Sequence, residues 1–488
     1  MTALLPACHH HQVREAGNES GPAGAGESEL AARLASFVRE NRLPGGVAGV
    51  VRGDQLAWSG GAGLADIAAR ASPGPDMLYG IASITKTFTG TAVMQLRDTG
   101  RLDLDDPAVT WLPELRAMDS PFGPVEAVTI RRMLSHESGL ATEPPGTDWV
   151  IPAYQGAADQ TLRRASEISV KLPPHARHKY SDLAYQLLGE IIARASGMPY
   201  PRYVREAILD PLGMSATGFP PLPAALSARC ATGYDWRALS DELDPAPAMP
   251  PVWAEGGLWS CLADLATWIR FQLAAYRHGA AVSPVLAAGS LREMHRPRYL
   301  ADDQWTQAWG ISWCATRQHD TTWIGHSGGI PGFTSTICFD PIAGVGAIVL
   351  LNGTSGSAAL GIELAGAARR LAGAQPPVIR PPVPAPAGYR PLLGIYARPG
   401  LGGWLIRLEW RDGKLTFTTP ESPGWQLILT PAGDPDRFTI APEGDLAGEN
   451  VIFQRRQDGR VVSVFLAQST WERLDPQPRQ AVHGTKHR

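Results

Sequence analysis

The hydrophobic pattern of the first 60 residues predicts a disordered segment, a helix and a hairpin. Residues 1–27 are rich in Gly, Glu, Ser and Ala and show no periodicity, which is typical of disorder. Apolar residues at helical spacing follow Ser28, a good N-cap residue type, until Pro44 ends the pattern. Two apolar runs, Val47–Val51 and Leu56–Ser59, then flank a glycine-containing turn and predict a β-hairpin.

The middle of the chain changes from helical to strand patterns. Helical patterns alternate with Pro- and Gly-rich loops from about residue 83 to 300. Helices followed by strands that pack with terminal helices predict an α/β (α+β layered) domain over 28–374, with an antiparallel sheet flanked by helices and a helical subdomain. Strand-like runs occupy 309–316, 321–326, 333–339 and 345–352, and a helical stretch occupies 356–373.

A proline-rich segment separates this domain from a second one. Six prolines fall within 376–386, which predicts a stiff linker over 375–388. Residues 389–475 carry only strand signals and predict a small all-β barrel or sandwich, and 476–488 form a polar tail. The strand-like runs are Trp404–Trp410, Leu415–Thr419, Trp425–Thr430, Arg437–Ala441, Val451–Gln454 and Val461–Leu466.

The composition of the chain argues against several classes of binding partner and cellular location. The net charge of −3 and the lack of Lys/Arg blocks argue against nucleic acid and anionic membranes as partners. The longest apolar run, 344–351, is far shorter than the roughly 20 residues of a spanning helix. The N-terminus lacks a signal-peptide pattern, and the five cysteines have no paired spacing. We therefore expect a cytoplasmic protein with reduced thiols.

Ser83 and Lys86 are the first candidates for chemistry. They lie three residues apart at the start of a helical segment, so the amine can contact the hydroxyl. The helix N-terminus also places partial positive charge where an oxyanion would develop. The spacing by itself is common on surface helices and specifies no site.

Two further segments carry candidate residues. Tyr180 directly precedes a helical stripe, and acting as a base would require a nearby cation such as Lys86, because the pKa of a free phenol is about 10; a packed loop tyrosine is the alternative. His326 begins a His-Ser-Gly-Gly sequence at the end of a predicted strand. Its glycines would let a substrate approach the backbone, and the Gly329 N–H could form an oxyanion hole with the Ser83 N–H.

Taken together and in this order, Ser-x-x-Lys, Tyr-x-Asp and His-x-Gly resemble the serine β-lactamase/penicillin-binding-protein superfamily. The likeness is to its class C β-lactamase-related branch, which includes family VIII esterases, D-aminopeptidases and DD-carboxypeptidases. The second domain resembles the lipocalin-like β-barrel appendage of some relatives. The resemblance covers about 30–372 and includes the segments Gly61–Asp66, Gly100–Pro107, Met133–Leu140, Pro211–Met214 and Gly256–Ser260.

The resemblance implies roles for these residues. Ser83 would attack an acyl carbon, while Lys86 and Tyr180 would move its proton; which of the two is the formal base stays open. Substrate-binding and oxyanion positions would be Ser83, Asp182, His326, Gly328 and Gly329. Ser138, Asp264 and the Gly256–Gly257 turn are interpreted as scaffold. The partner would be a small ester, amide or peptide, with no metal or other cofactor, and homo-oligomerisation stays open.

Two departures from the family pattern shape the expected activity. Asp182 replaces a common Asn, and a carboxylate only accepts hydrogen bonds, so it would keep Lys86 protonated or attract a substrate ammonium. His326 offers a weaker, pH-dependent charge than the Lys of some relatives. These residues predict an esterase or D-amino-acid peptidase/amidase with weak or no β-lactamase activity.

Three alternatives remain at this stage. The domain could be a slow-deacylating penicillin-binding-type sensor or binder. Ser327 could be the nucleophile of an α/β-hydrolase in Gly325-x-Ser-x-Gly, although that motif needs a strand-to-helix turn and a strand-like run follows here. Four basic residues precede Tyr180: His175, Arg177, His178 and Lys179. They either form a solvated loop or supply positive charge that favours anionic substrates in the cleft and lowers the pKa of Tyr180.

Overall fold

The chain forms two compact units, Met1–Ala374 and Gln375–Arg488. The predictions for residues 1–21, 375–383 and 476–488 lie outside the residues that the computed structural model describes. These described residues are 22–145, 158–236, 242–247, 253–277, 283–318, 321–372, 384–397, 405–411, 413–418, 426–441, 446–466 and 469–474.

The first unit contains an antiparallel sheet, which confirms the predicted fold class. Its described strands are β1 (Gly45–Arg52), β2 (Gln55–Gly63), β3 (Tyr79–Gly80), β4 (Tyr234–Trp236), β5 (Leu243–Pro245), β6 (Trp259–Ser260), β7 (Tyr299–Leu300), β8 (Gln307–Trp309), β9 (Cys314–Gln318), β10 (Thr321–Ile330), β11 (Phe333–Asp340) and β12 (Val345–Leu351). Eight of these form one sheet in the order β2-β1-β12-β11-β10-β9-β8-β7. The N-terminal hairpin therefore pairs with the last strand of the unit, with Val47 opposite Leu350.

Helices cover both faces of this sheet. The described helices are α1 (Pro22–Glu40), α2 (Thr85–Asp98), α3 (Ala108–Trp111), α4 (Ile130–Leu134), α5 (Ala158–Arg163), α6 (Asp182–Ser196), α7 (Tyr200–Val204), α8 (Asp210–Leu212), α9 (Ala224–Ser227), α10 (Leu262–Ala274), α11 (Ala288–His295) and α12 (Ser357–Ala372). Side chains of β12 alternate between two cores, because successive residues of a strand point to opposite faces. Val349 packs in one core with α1 and α12, whereas Ile348 belongs to a second core that includes α2, α6 and α10.

Helix α1 and the predicted strand 309–316 differ from the sequence predictions. Helix α1 begins at Pro22, within the predicted disordered segment, and proline suits the first helical position because it has no N–H to satisfy. The predicted strand 309–316 is two strands, β8 and β9. Between them the Ile311 N–H donates to the Met294 carbonyl in α11 and the Ser312 N–H to the Leu134 carbonyl in α4, so these residues bond to helices and leave the sheet.

Strand β10 extends past the predicted end at residue 326. It continues to Ile330, turns at Pro331 and Gly332, and pairs with β11. Gly332 has φ +78°, a conformation that glycine adopts without a steric penalty. The His-Ser-Gly-Gly sequence therefore lies inside a strand of a β-hairpin.

The second unit is a closed barrel of eight strands, β13 to β20, in which the first strand pairs with the last. Each of the six runs predicted from the sequence contains a strand within its described residues. The sequence did not predict the two that close the barrel, Gly394–Ala397 and Ser469–Leu474. The bounds are β13 (Gly394–Ala397), β14 (Leu405–Arg411), β15 (Lys414–Thr418), β16 (Gln426–Pro431), β17 (Arg437–Ile440), β18 (Asn450–Arg455), β19 (Val461–Leu466) and β20 (Ser469–Leu474).

Two general features concern the described residues as a whole. None of the helices within them is long and apolar enough to cross a membrane. The four cysteines among them, Cys230, Cys261, Cys314 and Cys338, are free thiols.

Candidate active site

Ser83 lies in a tight turn that leads from the short strand β3 into helix α2. The turn is a 3-10 helix at Ala82–Ile84, and Ala82 adopts φ +47°, an uncommon conformation for a residue with a side chain. The three-residue spacing brings the two predicted partners together, and the Lys86 Nζ donates to the Ser83 Oγ at 2.9 Å. The structure thus places the first motif at a helix start, as the sequence indicated.

Lys86 is fully buried, and its ammonium group is saturated with hydrogen bonds. Besides Ser83, it donates to the backbone carbonyl of Glu255 at 2.5 Å and forms an ion pair with the Asp182 Oδ1 at 2.5 Å. Burial lowers the pKa of Lys86, but the charges and hydrogen bonds of Asp182 and Tyr180 outweigh burial and raise it overall. The resting lysine is therefore a cation that can donate but has no lone pair with which to accept a proton.

Tyr180 immediately precedes helix α6, whose N-cap is Ser181. The Ser181 Oγ accepts from the Ala184 N–H at 3.0 Å, and this cap fixes where the helix starts. The Tyr180 hydroxyl interacts with both Ser83 and Lys86. Burial raises the pKa of Tyr180, Lys86 lowers it, and Asp182 raises it again, so the resting phenol is neutral.

His136 holds Tyr180 from the other side, and sequence analysis assigned it no role. Its ring stacks on the Tyr180 ring with centroids 4.2 Å apart, and its Nδ1 accepts the Ser181 N–H at 3.2 Å. Burial, together with Lys86 and two other histidines, keeps the pKa of His136 well below its usual range. His136 is therefore a neutral ring that orients Tyr180. The only sequence signal was its position in the family-like segment 133–140.

His326, Gly328 and Gly329 of strand β10 differ in their position relative to the cleft at Ser83. His326 is not among the described residues that line the cleft at Ser83; it packs against Tyr180 and Trp309, and burial lowers its pKa to about 3. A Cβ at Gly328 would lie 2.3 Å from the Ile81 carbonyl oxygen, so this glycine permits close packing against the turn before Ser83. Gly329 lines the cleft, and a Cβ there would meet nothing within 4 Å.

A cleft of about 480 Å³ opens in front of Ser83, and carboxylates dominate its polar lining. Asp182 and Glu255 are two of them. Burial raises the pKa of Glu255 to about 7, against the opposing effects of backbone N–H groups and Lys86. In the sequence, Glu255 is marked only as an acidic residue in an apolar stretch, directly before the Gly256–Gly257 turn. That turn, interpreted as scaffold, also contributes Gly256 to the lining.

The structure contradicts one of the remaining predictions from the sequence and agrees with another. Ser327 lies within a strand that turns into another strand, which contradicts the strand-to-helix turn of an α/β-hydrolase nucleophile. Among the described contacts of Tyr180 the cation is Lys86, not the basic loop before it; in that loop, the Lys179 Nζ donates to the Thr142 Oγ1. Asp264 accepts from the Ala216 N–H and the Thr217 hydroxyl, in keeping with a scaffold role.

No group of three or more His, Cys, Asp or Glu side chains in the described ranges is arranged to hold a metal ion. The chemistry available at this site is that of a half-buried serine and tyrosine and a fully buried lysine next to a carboxylate. Such a set can activate a hydroxyl nucleophile and move its proton.

Comparison with known proteins identifies the family of the chain. The sequence model of the Beta-lactamase family matches residues 30–370, so the chain belongs to that family. Esterase EstB of Burkholderia gladioli is 35% identical over 206 residues, which are 39% of this chain and 52% of EstB, about half of its length. Penicillin-binding protein 4 of Amycolatopsis lactamdurans is 30% identical over 344 residues, covering 67% of this chain and 86% of the relative.

A solved structure extends the likeness along the chain. The octameric penicillin-binding protein homologue from Pyrococcus abyssi matches with a TM-score of 0.59 and 23% identity. The match covers 91% of this chain and 99% of the homologue. The β-lactamase-like fold predicted from the motifs is therefore confirmed.

Proposed function

We propose that the chain is a serine hydrolase that cleaves an ester or amide bond of a small substrate through an acyl-enzyme on Ser83. The observation that carries the proposal is the 2.9 Å hydrogen bond between Ser83 and a fully buried Lys86, at the base of an open cleft. A serine hydroxyl is a weak nucleophile at neutral pH unless a neighbouring group accepts its proton. An esterase and a penicillin-binding protein among the relatives support acyl transfer as the reaction class.

The proton must leave Ser83 by way of the Lys86–Tyr180 pair. Lys86 donates to the Ser83 Oγ, which leaves the serine proton to be directed toward Tyr180. Once Lys86 or Tyr180 has lost one proton, the pair can accept the proton of Ser83. The two groups titrate together, so the apparent pKa of this step belongs to the pair and not to either residue. We therefore expect activity to rise with pH until the pair has lost this proton.

The reaction then follows from these positions. The Ser83 Oγ forms a bond to the acyl carbon, and its proton passes to the pair. The bond to the leaving group breaks as the pair returns the proton to it. Water attacks the acyl carbon in the second half-reaction and regenerates Ser83. The N–H groups of Ser83 and Gly329 are the expected oxyanion donors, and each such donor is typically worth about 3–4 kcal/mol of transition-state stabilisation.

The same site disfavours β-lactams. A β-lactam carries a carboxylate, for which a cationic anchor would be needed. With a pKa of about 3, His326 is neutral at working pH, and Asp182 and Glu255 add negative charge to the cleft. Ester turnover should therefore exceed nitrocefin turnover by orders of magnitude, and comparable rates for the two substrates would contradict this part of the proposal.

The test compares the wild type with Ser83→Ala and with Ser327→Ala as a matched control. A fluorophosphonate probe should phosphonylate the wild type with loss of fluoride, which intact-protein mass spectrometry detects as one adduct. Hydrolysis of p-nitrophenyl butyrate is measured on the same samples. Both signals should vanish in Ser83→Ala and persist in Ser327→Ala.

Other outcomes have definite meanings. Labelling of Ser83 without steady turnover would identify a slow-deacylating binder. Full activity in Ser83→Ala with loss in Ser327→Ala would overturn the assignment of the nucleophile.

A further inference from the structure

The polar lining of the Ser83 cleft is strongly acidic. Four carboxylate residues line it, Glu143, Asp182, Asp235 and Glu255, and no Lys or Arg occurs among the described lining residues. Lys86 lies beneath this surface, fully buried and already paired with Asp182. A substrate that enters the cleft therefore meets negative charge close to Ser83.

Glu255 differs from the other three in its burial, because it is only 4% exposed, and one of its carboxylate oxygens also lacks a partner. Its Oε2 is buried and makes no hydrogen bond. A buried acceptor without a donor costs free energy, so such an atom calls for an explanation. Lys86 cannot supply the donor, since its ammonium already donates to Ser83, to Asp182 and to the Glu255 backbone carbonyl.

The Asp182 carboxylate and the Glu255 backbone carbonyl contact the same lysine. The Glu255 side chain lines the Ser83 cleft together with Asp182, and the charges of Lys86 and Asp182 both act on its carboxyl group. Lys86 is 2.5 Å from the Asp182 Oδ1, 2.5 Å from the Glu255 backbone oxygen and 2.9 Å from the Ser83 Oγ. A positive group held between the two carboxylates would thus lie close to the acyl carbon that Ser83 attacks. A cation at the far end of a long substrate would not reach this position.

We propose that Glu255 and Asp182 form a subsite for an ammonium group on the acyl part of the substrate. The substrate class is then an ester or amide of an amino acid whose amine is free and lies one or two carbons from the scissile carbonyl. This inference rests on the proposed serine hydrolase function and names its substrate. An ammonium group supplies three N–H donors, one of which would satisfy the Glu255 Oε2.

The ionisation of Glu255 fits this role. Burial raises its pKa to about 7, so at neutral pH the carboxyl readily gives up its proton when a cation arrives. An apolar group in the same position would leave the buried oxygen without a partner. The cleft should therefore discriminate between an ammonium and a methyl group of similar size.

The experiment compares the two enantiomers of alanine methyl ester with methyl isobutyrate, in which a methyl group replaces the ammonium. At about pH 7 most of the alanine ester is protonated, because the pKa of an α-amino group is about 7.7–8.0. Release of methanol gives kcat/KM for each ester. The α-ammonium also makes the ester carbonyl intrinsically more reactive, so the subsite is measured by the change in the ratio of the two kcat/KM values between the wild type and a Glu255 variant.

We expect the wild type to prefer at least one alanine ester by about tenfold or more, the usual effect of a charge-assisted hydrogen bond. Glu255→Gln should reduce this ratio by about the same factor. Glu40→Gln, which removes the same charge from an exposed position on α1, should leave the ratio unchanged.

A second measurement needs neither a variant nor turnover. Isopropylammonium should slow the labelling of wild-type Ser83 by a fluorophosphonate at lower concentrations than isopropanol does. Equal protection by both compounds would overturn the subsite even if Glu255→Gln did not fold.

The outcomes separate the two proposals. A wild type that hydrolyses methyl isobutyrate as well as the alanine esters, or a ratio that Glu255→Gln leaves unchanged, would refute the subsite and leave the serine hydrolase standing. Absence of both turnover and Ser83 labelling in folded protein would refute the proposed function itself.

Discussion

Replacing Asp182 with Asn removes a negative charge that lies 2.5 Å from the Lys86 ammonium and hardly changes the shape of the side chain. Asp182 raises the pKa of both Lys86 and Tyr180, so the substitution should lower both values. The form of the pair that can accept the Ser83 proton then becomes available at lower pH. This direction is the same whichever of the two groups is the formal base.

The size of the shift follows from the separation of the charges. At an effective dielectric constant of about 20, two unit charges about 4 Å apart interact by about 4 kcal/mol. One pKa unit corresponds to about 1.4 kcal/mol, so loss of the full interaction is worth about three units. An asparagine still offers Lys86 a carbonyl acceptor and recovers part of this energy. We therefore expect the apparent pKa to fall by about one to three units.

The assay is kcat/KM for p-nitrophenyl butyrate over about pH 5.5 to 9.5, corrected for spontaneous hydrolysis. Because the pKa values of Lys86 and Tyr180 are both raised, the wild-type profile still rises at the alkaline end of this range, and the whole rising limb should move toward acid in Asp182→Asn. Asp235→Asn is the matched control, because Asp235 also lines the cleft but is held by the Gly332 N–H and the Thr354 hydroxyl. Its midpoint should stay within a few tenths of a unit of the wild type.

Three results would refute the reasoning. The midpoint of Asp182→Asn could stay in place while Ser83 is still labelled, or it could move toward alkaline pH. An equal shift in Asp235→Asn would show that the general negative charge of the cleft, and not the contact with Lys86, sets the apparent pKa.

Further predictions concern neighbouring residues. Gly328→Ala would place a Cβ 2.3 Å from a backbone carbonyl oxygen and should lower the free energy of unfolding by about 1–3 kcal/mol. Gly329→Ala, whose Cβ would meet nothing within 4 Å, should leave it unchanged. Calorimetry tests both, and equal melting temperatures would contradict the close packing at Gly328. His136→Phe keeps a ring on Tyr180 but removes the acceptor of the next backbone N–H, so kcat should fall about tenfold or more with KM little changed. Because the pKa of Glu255 is raised to about 7, the free energy of unfolding of the wild type should be higher near pH 5 and should fall as pH rises through about 7. Chemical denaturation should show that this fall is smaller in Glu255→Gln by up to about 3 kcal/mol. Identical pH profiles for the two proteins would contradict the raised pKa.

Local patterns predicted most of the regular structure. Helices cover both faces of strand β12, Val345–Leu351, so all of its side chains are buried. The strand therefore appears in the sequence as a continuous apolar run at 345–352, which could be recognised. Ser83 and Lys86 could be paired from the sequence for a similar reason, since helical geometry alone sets what lies three residues away. Signals of this kind depend only on neighbours in the chain.

Long-range contacts account for what the sequence did not predict. Strands β13 and β20 pair across the whole length of the second unit, and nothing local to either one indicates the closure. The break between β8 and β9 depends on hydrogen bonds to residues far away in the chain. His136 and Glu255 likewise reach the site from separate segments, and their importance rests on contacts with Tyr180 and Lys86.

Asp182 is placed to link substrate binding to the ionisation of the catalytic pair. In the free protein it stabilises the charged Lys86 and so opposes the formation of a proton acceptor. An ammonium bound between Asp182 and Glu255 would add positive charge beside Lys86 and lower the pKa of Lys86 and Tyr180. The pH profile of kcat reports the substrate complex, whereas that of kcat/KM reports the free protein. The alanine ester keeps its ammonium only below its own pKa of about 7.7–8.0, so the two profiles are compared below that pH. There kcat for the alanine ester should rise at lower pH than kcat/KM, and with methyl isobutyrate the two profiles should coincide. Coincident profiles for both esters would show that the bound ammonium does not act on the pair.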